Sequence, residues 1–307
     1  MRPVWQWFGP IAPAASAASR DRGAAVSSVP APKMILMRFA KGHGTENDFV
    51  ILSDPDAGLD LRPELVAALC DRRAGIGGDG VLRVVRTEAL REALPDAAAA
   101  SADCEWFMDY RNADGGIAEM CGNGVRVFAR YLIEQGLAEP GSFAVGTRAG
   151  ARRVTVESNG DITVDMGAVR VLGEGATVLA GERLSGTRIS VGNPHLACQV
   201  DRRVATVDLT EQPRLDPAQF PEGANVEVFT EIAPGTLEMR VYERGSGETR
   251  SCGTGIVAAA VAATPQGEGA TWRVRVPGGE CTVFLDAEGA RLRGPAVIVA
   301  EGHTRLI

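Results

Sequence analysis

A length of 307 residues exceeds the usual size of one compact domain and favours two modest domains or one large one. Hydrophobic residues make up 45% and charged residues 23%, a balance that allows a buried core and excludes a largely disordered chain. The net charge of -7 and an aromatic content of only 5% argue against a nucleic acid partner and favour a small polar substrate. No apolar run approaches the roughly 18 residues of a membrane span, so we expect no membrane partner.

The start of the chain is rich in Pro, Ala and Ser and carries neither a helical nor an alternating hydrophobic period. We therefore predict a disordered N-terminal extension over residues 1–33. A signal peptide is the alternative, but Pro10 and Pro13 interrupt its apolar segment. Met34 and Met37 are natural alternative starts, and we expect a cytoplasmic protein.

The first regular segment begins at Met37 and reads MRFAKGHGTENDFVIL. It alternates like a strand, turns at Gly42 to Gly44 and resumes as an apolar strand at Phe49. Further along, Gly75 to Gly80 read GIGGDG and satisfy the glycine spacing of a dinucleotide-binding loop. That loop needs a strand before it and a helix after it, whereas here a helix-like PELVAALCDRR precedes and a strand-like VLRVV follows. We interpret the segment as a tight structural loop.

Two parts of the chain repeat one pattern: a strand-like stretch, a polar turn, a Cys-Gly-x-Gly element and a helix. The first helix follows AEMCGNG and repeats apolar residues at Val125, Phe128, Ala129 and Leu132, which predicts one buried face. The second follows TRSCGTG and is apolar all round from Ile256 to Ala263, which indicates a helix surrounded by other elements. A sequence typical of a β-hairpin follows each helix. The duplication therefore predicts an α+β fold in which each half is a sheet wrapped around a central helix.

One segment, from Thr87 to Glu105, has no equivalent in the second half. We interpret it as a surface insertion that is helical at first and irregular after Pro95. We assign it no function.

The cysteines show no C-x-x-C pair and no histidine at zinc-finger spacing, which argues against a metal site. Their even number would allow three disulfides in a secreted protein, whereas a long cytosolic chain with a full core keeps its cysteines reduced. We predict free thiols throughout. The six are Cys70, Cys104, Cys121, Cys198, Cys252 and Cys281.

Cys121 and Cys252 each stand directly before a predicted helix. Unpaired N–H groups and the helix dipole favour an anion there, which predicts a thiol pKa lowered from about 8.5 towards neutrality. A single such cysteine is more often a small buried hydrophobic residue, but two in duplicate contexts favour a shared role. Two facing thiols can remove a proton from one side of a carbon and return one from the other, while the helix N-termini hold a carboxylate.

The chain carries GTENDFV, GIGGDG, YRNADGG with CGNG, VGNPH, GANVEVF, YERGSGET with CGTG, and GPAV, in that order. In these motifs it resembles the diaminopimelate epimerases from Arg38 to Gly302. The resemblance implies interconversion of LL- and meso-2,6-diaminopimelate without pyridoxal phosphate, another cofactor or a metal, on the route to lysine and peptidoglycan. It also implies a homodimer.

The same resemblance implies a fold of two pseudo-symmetric halves, each a barrel-like sheet around its helix, with the site in the cleft. We expect residues 34–165 plus 294–307 to form the first half and residues 166–293 the second. The final strand, within RGPAVIVAEG, then crosses back to the first half.

The resemblance also assigns roles residue by residue. It implies that Cys121 and Cys252 are the acid/base pair and that His195 and Glu243 assist the thiols. Asparagine offers a donor and an acceptor to an ammonium–carboxylate group, and arginine binds a carboxylate bidentately. Taken alone, the histidine could be structural, the glutamate solvated and each asparagine a turn residue or cap. The implied substrate-binding residues are Asn47, Asn112, Gly122, Asn123, Asn193, Asn225, Glu243, Arg244, Gly253 and Thr254.

Two positions depart from the family pattern. Gly80 stands where some members have a glutamine that touches the substrate, so we expect that contact to be lost or replaced by water. Glu46 precedes Asn47 where glycine is common. Neither change touches the acid/base pair.

Three alternatives stay open. A proline racemase relative would share the fold and two cysteines but act on cyclic imino acids, for which four asparagines and Arg244 are excessive. A catalytically inactive relative would lack one or both cysteines. A disulfide protein would hold Cys121 bonded to Cys252, whereas an epimerase would be inactivated reversibly when oxidation joins them.

Overall fold

The computed structural model describes residues 36–90, 95–265 and 267–305, which fall in one compact unit. The predicted extension over residues 1–33 lies outside the described residues. The fold is α+β, as predicted, with many strands and four α-helices in the described part of the chain. Within those ranges, no helix is long and apolar enough to cross a membrane.

A five-stranded sheet combines four N-terminal strands with the last strand of the chain. Its strands are β1 (Met37–Gly44), β2 (Asn47–Ser53), β3 (Gly80–Arg86), β4 (Trp106–Asn112) and β18 (Val297–Thr304). They lie in the order β18, β1, β2, β3, β4. The predicted strand–turn–strand at the start of the fold is confirmed, since β1 and β2 pair antiparallel.

Short helices connect the strands of this sheet. Helix α1 (Pro63–Cys70) precedes the GIGGDG loop and β3 follows it, so the helix-before-strand order predicted for this loop is confirmed. In the insertion, a 3₁₀ helix spans Thr87–Leu90 and α2 spans Pro95–Ala99. The expectation of irregular structure after Pro95 is wrong there, because proline is well suited to the first turn of a helix.

The two predicted long helices are both present, and both are buried. Helix α3 (Gly122–Glu134) buries all four of its predicted apolar positions, each with no exposed surface. Helix α4 (Gly253–Ala262) is surrounded as predicted, with no exposure from Ile256 to Ala260. Burial of nearly a whole helix explains why the second sequence shows no polar face.

A larger sheet contains the remaining strands, in the order β11, β8, β9, β10, β12, β13, β15, β16, β17, β7, β6, β5, with β14 pairing β13. The β6–β7 and β15–β16 hairpins predicted after the two long helices are confirmed. The strands are β5 (Ser142–Val145), β6 (Arg152–Val156), β7 (Ile162–Gly167), β8 (Arg170–Leu179), β9 (Glu182–Ser190), β10 (Pro194–Gln199), β11 (Arg214–Leu215), β12 (Asn225–Ala233), β13 (Thr236–Glu243), β14 (Gly247–Thr249), β15 (Ala270–Val276), β16 (Gly279–Asp286) and β17 (Gly289–Gly294).

Each long helix packs against its own set of strands. Helix α3 contacts β1, β2, β7 and β18, and α4 contacts β9, β10, β12 and β16. One hydrophobic cluster runs through both surroundings and includes residues of both helices. The Met108 N–H donates to the Gly146 carbonyl and the Gly146 N–H donates to the Trp106 carbonyl, so β4 is bridged to the segment after β5 and the two sheets are joined there.

The last strand returns to the beginning of the fold. β18 pairs antiparallel with β1 over Met37 to His43, as the crossing of the final strand requires. The exact division at residues 34–165 plus 294–307 and 166–293 stays a prediction. All six cysteines are free thiols, as predicted.

Candidate active site

Cys121 occupies the N-cap of α3. Its backbone is extended (φ -139°, ψ 118°), and its sulfur accepts a hydrogen bond from the Gly124 N–H at 3.4 Å. The sulfur also lies 3.6 Å from Asn47 Oδ1. The thiol thus takes the place that a serine or aspartate oxygen usually takes at an N-cap, facing the unpaired N–H groups of the first turn.

Cys252 occupies the equivalent position at α4, again with an extended backbone (φ -123°, ψ 115°). Its sulfur lies 3.5 Å from Thr254 Oγ1, and the Gly255 N–H lowers the pKa of the thiol. The residue is 6% exposed, whereas Cys121 is only partly buried. The predicted placement of both thiols at helix N-termini is therefore confirmed.

The N-termini of the two helices touch. A Cβ built on Gly253 would lie 3.3 Å from Gly122 Cα and 3.2 Å from Asn123 N. Gly122 and Gly253 directly follow the two cysteines, so this contact brings both thiol-bearing turns to one place. Glycine at both positions permits the close approach of the two backbones.

A set of hydrogen bonds ties the two helix starts together. The Asn123 side-chain amide donates to Asn47 Oδ1 at 3.2 Å and to the Ser251 carbonyl at 3.2 Å, and its oxygen accepts from Arg126 at 2.8 Å. The Ser251 hydroxyl lies 2.6 Å from the Thr45 hydroxyl in the β1–β2 turn. Buried polar side chains thus bond across the contact, which holds the cysteines in register.

Glu243, the last residue of β13, lies close to both thiols. The Thr249 hydroxyl donates to its Oε1, and Cys252 lowers the pKa of its carboxyl. The charge of Glu243 raises the pKa of Cys121 and of Cys252. Burial in turn raises the pKa of the Glu243 carboxyl.

The expectation that the helix N-termini lower both thiol pKa values towards neutrality is wrong. Burial raises the pKa of Cys121 to about 11, against the lowering effect of the Gly124 N–H. Burial also raises the pKa of Cys252 well above its ordinary value, with Glu243 and Glu227 adding to the effect. Loss of water from around a thiolate outweighs the hydrogen bonds that the helix provides.

His195 lies behind Cys252 rather than against it. Its ring is fully buried, with Nδ1 2.7 Å from Glu227 Oε1 and Nε2 2.9 Å from Asn193 Oδ1. The Asn193 amide donates to Thr254 Oγ1 at 3.4 Å, and this is the hydroxyl next to the Cys252 sulfur. The structure thus connects His195 to Cys252 through Asn193 and Thr254.

The remaining predicted binding residues lie around the ends of the strands. Asn47 begins β2 and donates to Asp79 Oδ2 at 2.7 Å. Asn225 pairs with His195 between parallel strands, and its Oδ1 accepts from the Arg244 N–H at 2.9 Å. The Arg244 side chain is exposed and donates to the Glu222 carbonyl at 3.1 Å.

Asn112, at the end of β4, is exposed and opposite Gly80. Within the described ranges, no hydrogen bond links its side chain to the other predicted site residues.

At Gly80, the first departure from the family pattern, the structure leaves no room for a side chain. A Cβ on Gly80 would lie 2.4 Å from the Arg111 carbonyl oxygen and 2.7 Å from Tyr110 Cε2. The Tyr110 side chain fills this space and is close enough to both thiols that their charges, after burial, raise its pKa.

Sequence reasoning missed Glu227, Tyr110 and Asp79. Glu227 lies in the quoted motif GANVEVF, and a glutamate inside an otherwise apolar strand is a signal that could have indicated it. Tyr110 and Asp79 lie in the motifs YRNADGG and GIGGDG, in which the asparagine and the glycines are the residues that the pattern indicates. Only the site residues that surround them in the folded chain distinguish these two from other residues of their motifs.

The chain matches known proteins over most of its length. A family model described as diaminopimelate epimerase matches residues 39–172 and 187–307. The diaminopimelate epimerase of Thermobifida fusca (strain YX) is 71% identical over 88% of this chain and 98% of its own length. That of Rhodococcus opacus (strain B4) is 54% identical over 87% of this chain and 96% of its own.

Solved structures share the fold at low identity. A phenazine biosynthesis protein of the PhzF family from Bacillus anthracis aligns with a TM-score of 0.63 at 18% identity, covering 88% of this chain and 99% of its own. A hydroxyproline epimerase from Agrobacterium vitis aligns with a TM-score of 0.61 at 14% identity, covering 89% and 93%. This likeness concerns the fold, and it agrees with the predicted α+β architecture.

Proposed function

Because the chain belongs to the diaminopimelate epimerase family and is an isomerase, we propose that it interconverts LL- and meso-2,6-diaminopimelate. Cys121 and Cys252 exchange the α-proton in a two-base reaction that needs neither pyridoxal phosphate nor a metal. The observation that carries the proposal is the meeting of the α3 and α4 N-termini, one thiol on each, with Glu243 near both. The reaction supplies precursors of lysine and peptidoglycan.

The proposed step conserves protons and electrons. The thiolate of one cysteine takes the α-hydrogen as a proton and becomes a thiol, and the C–H electron pair stays on the α-carbon and spreads into its carboxylate. The thiol of the other cysteine then gives its proton to the opposite face and becomes a thiolate. The stereocentre is inverted, and the protein is left in the mirror protonation state, ready for the reverse direction.

The raised thiol pKa values suit this chemistry. An α-hydrogen next to a carboxylate is only weakly acidic, so a thiolate of higher basicity is the stronger proton acceptor. Burial lowers the population of the thiolate and increases its basicity at the same time. A water-free site also favours hydrogen bonds to the developing charge on the substrate carboxylate, for which Gly122, Asn123, Gly253 and Thr254 offer backbone N–H groups.

The distal end of a two-headed substrate needs its own binding groups. Asn47, Asn193 and Asn225 join the site through hydrogen bonds to other site residues, and Arg244 adds a positive charge at its edge. Asn112 stands apart, at the exposed end of β4. We assign all four asparagines and Arg244 to the distal ammonium and carboxylate. Binding of this second group discriminates diaminopimelate from a cyclic imino acid.

Proton exchange with solvent tests the proposal. Reduced protein, treated with EDTA and free of pyridoxal phosphate, is incubated with LL-diaminopimelate in deuterium oxide, beside Cys121→Ala and Cys252→Ala. We expect deuterium at the α-carbon together with the meso isomer, and a loss of about 10²–10⁴-fold in each variant, the usual contribution of a general acid or base. Product chirality and mass are followed together.

The matched control is Cys104→Ala, which removes a buried thiol of the insertion and should retain full exchange. Full exchange in Cys252→Ala would contradict the two-base step. Exchange of proline or hydroxyproline in place of diaminopimelate would move the protein to a different substrate.

A further inference from the structure

A buried carboxylate that sequence reasoning did not assign lies behind the site. Glu227 and His195 both have side chains with 0% exposure and lie 2.7 Å apart, Oε1 to Nδ1. They stand on the parallel neighbours β12 and β10, where His195 pairs with Asn225 and Ala197 pairs with Glu227. Residues two apart on a strand share a face, so this register places the carboxylate beside the ring.

From Glu227 an unbroken series of contacts leads to the Cys252 sulfur. His195 Nε2 lies 2.9 Å from Asn193 Oδ1, and Asn193 Nδ2 lies 3.4 Å from Thr254 Oγ1. The series ends at Cys252 Sγ, 3.5 Å from the Thr254 hydroxyl. Each side chain between Glu227 and Cys252 therefore contacts a neighbour of the series on both sides.

The partners along this series set the orientation of each side chain. The Glu227 carboxylate faces His195 Nδ1, and the other ring nitrogen, Nε2, faces Asn193 Oδ1. Asn193 then receives at its oxygen and donates from its nitrogen to the Thr254 oxygen. The proton of the Thr254 hydroxyl remains free to point at sulfur.

We propose that Glu227 is a positioning residue that, through His195 and Asn193, directs the Thr254 hydroxyl proton at the Cys252 sulfur, stabilising its thiolate. The inference rests on the proposed function of Cys252 and adds a residue to it. Without the Glu227 carboxylate, the His195 ring loses the partner that orients it, the Asn193 amide turns over, and Asn193 Oδ1 then accepts the Thr254 hydroxyl proton. The thiolate of Cys252 loses that donor.

Cys252 otherwise stands among groups that oppose its ionisation. Glu243 of β13 and Glu227 of β12 carry charges that raise its pKa, and Tyr110 of β4 interacts with it electrostatically. The Gly255 N–H and the Thr254 hydroxyl are the groups that lower it. A hydroxyl held in the donating orientation therefore offsets part of the penalty that burial and the two carboxylates impose.

The second glycine of the CGTG motif makes room for the carboxylate. A Cβ on Gly255 would lie 2.7 Å from Glu227 Oε1, closer than real Cβ contacts allow. The other oxygen, Oε2, has no hydrogen-bond partner among the described residues. A buried carboxylate with one unpartnered oxygen is costly, which indicates that its contact with His195 is functional and not an accident of packing.

The direction in which Glu227→Gln changes the alkylation rate of Cys252 distinguishes this role from a simple charge effect. In Glu227→Gln the side chain keeps its shape and loses its charge. If Glu227 acts by charge alone, its removal favours the Cys252 thiolate and alkylation by iodoacetamide becomes faster. If it acts through His195, we expect Cys252 to react about tenfold more slowly, the effect of one pKa unit, while Cys121 in the same sample is unchanged. Peptide masses at fixed pH give both rates.

Thr254→Val and Thr254→Ser are the matched pair. Valine removes the hydroxyl at similar size, and we expect the same slowing of Cys252, whereas serine restores the donor and the rate. In the double variant Glu227→Gln/Thr254→Val the slowing should equal that of Thr254→Val alone, because both changes act through one hydroxyl. Faster or unchanged Cys252 alkylation in Glu227→Gln would overturn the proposal, and so would additive slowing. The readout needs no turnover, so it is independent of the exchange assay that tests the proposed function.

Discussion

Helices α3 and α4 start from the same Cys-Gly-x-Gly pattern and differ in what surrounds them. A Cβ on Gly124 of the first helix would meet Leu82 Cδ2 at 3.3 Å, whereas one on Gly255 of the second would meet Glu227 Oε1 at 2.7 Å. The equivalent glycine therefore faces a hydrocarbon side chain in one half and a buried carboxylate in the other.

The charges around the two thiols differ in the same way. Arg126, one turn into α3, lowers the pKa of Cys121, and only Glu243 among nearby carboxylates raises it notably. Cys252 faces both Glu243 and Glu227 at the start of an apolar helix. The duplication repeats the position of the thiol and not its electrostatics, so the two acids of the proposed two-base reaction are unequal.

The largest expected effect of this inequality is in thiol reactivity. Glu243 and Glu227 both raise the pKa of Cys252, whereas Arg126 lowers that of Cys121, so we expect Cys121 to have the larger thiolate fraction. Each unit of pKa is a factor of ten in that fraction, and we expect iodoacetamide to modify Cys121 at least about tenfold faster at pH 9. Peptide mass analysis at early times measures both sites, with Cys121→Ala and Cys252→Ala as assignment controls.

Both rates should rise with pH, because only the thiolate reacts. Preferential modification of Cys252 would show that the second half, despite its two carboxylates, holds the more acidic thiol. That result would reverse the order of thiol acidity that the surrounding charges predict.

Stability offers the next test, at the paired glycines. Gly255→Ala drives a methyl group into a carboxylate that is already buried, and we expect it to destabilise the fold by about 1–3 kcal/mol, as overpacked cores do. Gly124→Ala meets the end of a leucine side chain, which can move, and gains helix propensity of about 1 kcal/mol, so its net effect should be small. Urea unfolding of both variants gives the difference directly. Equal losses would show that the carboxylate has room to shift.

Much of this comparison was available from the sequence, because it depends on local pattern. The apolar spacing around Val125 and the apolar run from Ile256 predicted both helices, and the paired Cys-Gly motifs placed a thiol at each start. The strand–turn–strand beginning at Met37 needed only alternation and a turn. These features are decided by neighbours in sequence.

The electrostatics were not available, because they depend on partners distant in sequence. Burial of Cys252 raises its pKa through strands that no helix pattern reveals. Glu227 and His195 are 32 residues apart and meet only through the register of two parallel strands. The sequence reasoning counted the helix dipole, which is local, and could not count desolvation, which outweighs it.

The smallest effect concerns the turns that precede the two sites. The β1–β2 turn holds Thr45 (φ 50°) and Glu46 (φ 62°) in the left-handed region, whereas the corresponding turn between β9 and β10 uses Gly192 (φ 93°). Glu46 also forms an exposed ion pair with Arg250.

We compare Glu46→Gly with Glu46→Gln, since both remove the ion pair and only glycine relieves the left-handed backbone strain. Relief of left-handed strain should make the glycine variant more stable by about 0.5–1 kcal/mol, after allowance for the greater entropy of glycine in the unfolded chain. The converse change, Gly192→Ala, should cost a similar amount, and thermal unfolding of the three variants measures both. If glycine and glutamine at position 46 prove equal, the left-handed turn of the first half is not strained, and the two turns differ in sequence without differing in energy.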